Sequence, residues 1–150
     1  MNNFTIIESF KDRLNQTVKI GDIVLYPRMQ GQSPEMTIAR IISLKEKEDY
    51  NNQRKIVARI KTIRDEIWGI RDLHPNARCI ITTYETSLTK HADNLVKIDA
   101  DKLSKLEYDV LVKGEIIPVY QDEFSRQIVT ENKYEREDIM RITGSWIWGN

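Results

Sequence analysis

The sequence predicts an α+β protein: a small antiparallel β-barrel over residues 17–98, a helix before it within 1–16, and a helical extension over 99–150 ending in an apolar tail. Three observations carry this. Five or six short β-rich runs recur between turn residues from Val18 to Ile98, the spacing of a small barrel. Beyond Ile98 the apolar residues shift to helical spacing. With 40% apolar residues, 150 positions suffice for one compact domain with an appended element.

The elements follow in order. Thr5-Ile6-Ile7-Glu8 has the pattern of a capping box, and Ile7, Phe10 and Leu14 continue at helical spacing, which predicts a helix over Ile6–Leu14. Val18 and Ile20 then alternate with Lys19, Gly21-Asp22 punctuates, and Ile23–Tyr26 forms an apolar run ended by Pro27. This predicts a strand, a tight turn and a second strand. Met29–Glu35, with Gly31, Ser33 and Pro34, reads as a loop, and Met36–Leu44 as a β-branched strand. Lys45–Gln53 is polar, with Asn51-Asn52 placed at a hairpin tip. Arg54–Ile63 alternates, with Ile56, Ala58 and Ile60 on one face and Val57, Arg59 and Lys61 on the other.

Arg78–Tyr84 and Asn94–Ile98 read as further strands. Asp99 or Asp101 caps a helix carrying Leu103, Leu106, Val110 and Leu111 that stops near Gly114. Pro118 makes Glu115–Tyr120 a short edge strand or an extended segment. A charged helix is expected over Tyr134–Ile142.

Charge bounds the function. The chain holds 23 Lys and Arg against 23 Asp and Glu, and a balance this neutral argues against general duplex binding, whose affinity comes mostly from phosphate neutralisation. The charges are unevenly placed, however. Arg54, Lys55, Arg59, Lys61 and Arg64 form a run with no acid from Asn51 to Arg64. No window reaches the ~18 apolar residues that cross a bilayer. The stretch Met1–Leu14 lacks the charged head and apolar run of a signal region. One Cys excludes an internal disulfide framework, so a cytoplasmic chain is expected. Composition also carries a genome signature, 21 Ile against 5 Ala, typical of an AT-rich bacterium or phage, and hence of a host's cytoplasm if phage-encoded.

The segment Val18-Lys19-Ile20-Gly21-Asp22-Ile23-Val24-Leu25-Tyr26, followed by Thr37-Ile38-Ala39-Arg40-Ile41-Ile42, resembles the opening of SH3-like barrels of the Tudor and KOW kinds, over roughly half the chain. The resemblance implies an SH3-like barrel that binds nucleic acid, peptide or protein and is rarely catalytic by itself.

Motifs for catalysis are sparse. The six glycines stand far apart, with neither phosphate-loop nor dinucleotide spacing. His74, Cys79 and His91, with Asp93 recruited, lack the spacing of a closed zinc site, and Cys79 within an apolar strand reads as a buried small hydrophobe. Glu107 with Asp109, like Asp99 with Asp101, reads as caps and solvated faces. No metal or cofactor is implied. An enzyme with dispersed residues is the third of three hypotheses.

Binding has more support. Tyr26, Met29 and Trp68 fall at strand ends, where small barrels present ligand contacts, and Arg28, Arg40, Lys55, Arg59 and Lys61 rim such a surface. The bland alternative is that Tyr26 and Trp68 plug the barrel ends. Trp146 and Trp148 share one face of an extended tail and either dock on the domain or serve a partner or self-association. The leading expectation is a non-enzymatic regulatory or accessory module with a protein partner. The alternative is a nucleic-acid-binding barrel using the basic strand 54–64.

Overall fold

A computed structural model describes residues 4–30, 33–48, 50–67, 74–88, 94–124, 128–131 and 134–143. Among these residues ten strands run in chain order: β1 Phe4–Ile6, β2 Ser9–Lys11, β3 Thr17–Lys19, β4 Ile23–Gln30, β5 Ser33–Glu48, β6 Arg54–Glu66, β7 Cys79–Leu88, β8 Val96–Ile98, β9 Ile117–Gln121 and β10 Ile128–Val129. Among the described residues, two short α-helices, α1 Lys105–Leu111 and α2 Arg136–Thr143, and a 3-10 turn at Ala100–Lys102 accompany the mostly antiparallel strands of an α+β chain. No described helix is long and apolar enough to cross a membrane. The chain forms two units: Met1–Thr62 with Glu85–Lys102, and Ile63–Tyr84 with Leu103–Asn150.

In the first unit, strands follow the order β8-β4-β5-β6, β1 pairs with the far half of β5, and β2 with β3 makes a separate two-stranded sheet. Both sheets feed one core. Phe10 and Val18 come from the small sheet, and Val24, Tyr26, Ala39, Ile41, Leu44, Ala58 and Ile60 from the large one. The Gly21-Asp22 turn joins them. Gly21 takes φ 94°, a conformation that L side chains resist. Its N–H donates to the Ile41 carbonyl at 2.8 Å, while the Asp22 side chain accepts from the Lys19 N–H at 2.8 Å. The two strands beside this turn therefore belong to different sheets rather than to one hairpin.

The helix expected over Ile6–Leu14 does not form. Phe4–Ile6 pairs with Lys45–Lys47, and Ser9–Lys11 with Thr17–Lys19. A nine-residue helix is marginal in water, and Thr5-Ile6-Ile7 is a β-branched run that favours strand. Phe10 alternates with exposed Ser9 and Lys11, and Leu14 is 64% exposed, so the helical stripe is never buried. The turn after β2 is held by Asp12. Its Oδ1 accepts from the Leu14 and Gln16 N–H groups at 2.9 and 2.8 Å, and its Oδ2 from the Lys97 N–H at 2.7 Å and Gln16 Nε2 at 3.0 Å. Burial alone would raise this carboxyl's pKa, but these hydrogen bonds outweigh it and hold the group below its usual range. The Arg13 N–H donates to the Leu95 carbonyl, so this turn covers the outer edge of β8.

Of the expected loop Met29–Glu35, Met29 and Gln30 end β4 and Ser33–Glu35 open β5. Gln30 pairs with Ser33, which carries β4 and β5 through to a two-residue connection. Pro27↔Met36 and Met29↔Pro34 lie two positions apart and so belong to one class of pair. The class in which the N–H faces away from the partner strand tolerates proline.

The second unit places β9 between β7 and β10, with Cys79↔Val119 and Ile128↔Gln121 in register. Cys79, Ile81, Leu106, Val110, Ile117, Val119, Ile128 and Ile139 form its core. The stretch 99–150 thus supplies strands as well as helices, and 63–84 groups with it because Cys79 and Ile81 bury in this core. Ser104, not Asp99 or Asp101, caps α1. Its Oγ accepts from the Glu107 N–H, and Glu107 accepts from the Ser104 N–H in return. Gly114, at φ 75°, lies just past the helix end, as expected from the sequence.

Candidate anion-binding face

Strand β6 turns Ala58, Ile60 and Thr62 inward, all at most 1% exposed. The pleat sends Lys55, Val57, Arg59 and Lys61 to the opposite face. Strand β5 matches them: Lys47 stands opposite Lys55, Lys45 opposite Val57, Ser43 opposite Arg59 and Arg40 opposite Lys61. Six cations therefore share one face of the β5–β6 ladder. An irregularity between Ile41 and Ser43 makes this alignment. Ile41 and Leu44 are three residues apart and would face opposite sides of a regular strand, yet both are in the core. The extra residue, Ile42, restores parity, and the same shift puts Arg40 on the side of Lys45 and Lys47.

Apolar groups border the cations. Phe4 and Ile6 pair with Lys47 and Lys45 and are 50% and 78% exposed. Lys45 Nζ stands 4.8 Å from the centre of the Phe4 ring. At the hairpin tip Asn52 takes φ 61°, and Tyr50 beside it is fully exposed. From β7, Glu85 accepts from Arg59 Nε at 3.0 Å and Nη2 at 2.9 Å. Both partners are about half exposed, so this pair contributes at most about 1 kcal/mol.

Of the residues singled out from the sequence, Arg40, Lys55, Arg59 and Lys61 come together here. Tyr26 does not, being 5% exposed within the first core, where it packs rather than rims a surface. The backbones of Arg28 and Met29 lie in β4, but their side chains fall outside the described residues, as do Trp68, Trp146 and Trp148. Lys45, Lys47, Phe4 and Tyr50 escaped sequence reasoning. A signal for two of them was present. Lys45-Glu46-Lys47-Glu48 reads as a balanced polar stretch, yet in a strand the period of two sends both lysines to one face and both glutamates to the other.

Among the described residues, two buried ionisable groups lie elsewhere, in the second unit. Cys79 is fully buried, and burial, reinforced by the Asp65 charge and opposed by Arg78, pushes its thiol up to about 12, where it is a poor nucleophile at neutral pH. Asp109 corrects the expectation of a solvated carboxylate. It is 5% exposed, accepts from the Tyr134 hydroxyl at 2.7 Å and lies 3.6 Å from Lys113 Nζ. A cavity of about 240 Å³ in the second unit is lined by Glu115, Ile116, Ile117, Pro118 and Glu131, two carboxylates with no His, Cys, Ser or Lys beside them. Among the described residues no group of three His, Cys, Asp or Glu could hold a metal ion. His91 and Asp93 lie outside them.

No protein-family model matches the chain, and no curated protein is significantly similar to it.

Proposed function

We propose that the chain is a non-enzymatic binding module that holds an anionic partner against the outer face of β5 and β6. The observation that carries this reading is the placement of cation directly opposite cation, Lys47 with Lys55 and Arg40 with Lys61. Cations placed opposite one another add their fields on one face, which favours an anion lying across them. Composition supports the same reading. Fourteen Lys and Arg stand against eleven Asp and Glu in the first unit, and nine against twelve in the second. The overall neutrality thus conceals a basic unit. An SH3-like barrel is proposed for this unit, supported by two sheets that share one core and meet at the Gly21-Asp22 corner.

The reading is tested by retention of the full chain on an immobilised polyanion. Arg59→Glu combined with Lys61→Glu should elute at clearly lower salt than the parent, with unchanged circular dichroism. Equal retention of the folded double variant and the parent would remove the proposal.

A further inference from the structure

We infer that the anionic partner is a single-stranded nucleic acid whose bases stack on Tyr50 and Phe4. The inference rests on the proposed anion-binding role and narrows it to one partner class. Tyr50 sits at the tip of the β5–β6 hairpin, just past the Lys47–Lys55 pair, with its side chain fully in solvent. Phe4 stands beside Lys45, half exposed. Neither packs into the core of the first unit, and exposed aromatic surface is unfavourable in water.

A duplex hides its base faces by stacking, so it meets this surface through phosphate alone and gains nothing from the rings. An acidic protein would pair with the lysines. Aromatic anchors at protein interfaces, however, sit centrally, whereas these two rings stand at the border of the cationic face. A single strand uses both features at once, phosphates over the cations and base faces on the rings. Lys55 to Lys61 spans six residues, about 20 Å, a length suited to about four nucleotides, the low end of known single-strand sites.

The test is fluorescence anisotropy of the full chain with three labelled probes: a twelve-nucleotide oligothymidine, a twelve-base-pair duplex and polyglutamate. The single strand should bind at least about tenfold more tightly than either other probe. Tyr50→Ala should weaken it by about tenfold, Tyr50→Phe should restore it, and retention on an immobilised polyanion should not change. Because Tyr50 makes no core contact, these variants keep the fold. Equal binding of duplex or polyglutamate, or no effect of Tyr50→Ala, would overturn the single-strand assignment while leaving the anion-binding face intact. Absence of binding to every polyanion would overturn both.

Discussion

Lys47 lies directly opposite Lys55 across the β5–β6 ladder, with both side chains exposed on the face away from the core. Packing does not require this. Replacing Lys47 by Glu creates an opposite-charge cross-strand pair and should raise stability by about 0.2–1 kcal/mol, read as an upward shift of the urea midpoint. The same variant should bind a polyanion more weakly. Stability and binding moving in opposite directions is the signature of a face kept for a partner.

Asp12 and Lys97 are 85 positions apart, yet the Asp12 carboxylate accepts the Lys97 N–H at 2.7 Å and fastens the β2–β3 turn to β8. Asp12→Asn turns one of the two acceptor oxygens into a donor facing other donors, and should cost about 2–4 kcal/mol in chemical unfolding. The carboxyl's pKa is lowered in the folded state, so the unfolded chain binds the proton more readily. The stabilisation is therefore complete above the unfolded value near 3.9 and is lost as pH falls through the lower folded value. Unfolding measured from pH 6 to pH 2 should show this loss in the parent and a shallower slope in Asp12→Asn.

In the second unit, Tyr134→Phe removes the phenol donor from the buried Asp109 carboxylate. Lys113, itself half exposed and 3.6 Å away, compensates only in part. A loss of about 1–3 kcal/mol is expected. The guanidinium midpoint should fall accordingly, and polyanion retention should stay as in the parent.

Cys79 offers a probe of the same unit. Its thiol is raised from 9.0 to about 12, chiefly by burial. Folding therefore favours the protonated thiol, and this contribution, present below pH 9, is lost as pH rises toward 12. A thiol reagent at pH 8 should label the unfolded chain rapidly and the native chain only at its rate of opening. Rapid native labelling would contradict the buried position.

Much of this fold was legible because its signals are local. The alternation in Arg54–Ile63, the Asn51-Asn52 tip and the apolar spacing of Leu106 and Val110 each depend on neighbouring residues, and each is found in place. The Lys55, Arg59 and Lys61 stripe followed from the same alternation. What escaped depends on distant partners or on a single inserted residue. Thr5–Leu14 carries a helical pattern but finds better pairing in Lys45–Lys47 and Thr17–Lys19. Nothing within Ser43–Leu44–Lys45 announces that Ile42 shifts the register, and without that shift Arg40 cannot be placed beside Lys45 and Lys47. Asp109 reads as solvated until Tyr134, 25 positions later, folds back to donate to it.

The most direct measurement is the salt dependence of oligothymidine affinity. If the chain engages phosphates through four to six cations of this face, a plot of log affinity against log salt should have a slope of about −3 to −4. Neutralising two of the cations, as Arg59→Gln with Lys61→Gln, should reduce that slope by about 1.4 in magnitude. A slope that the double variant leaves unchanged would contradict the account, because the anion would then be held somewhere other than β5 and β6.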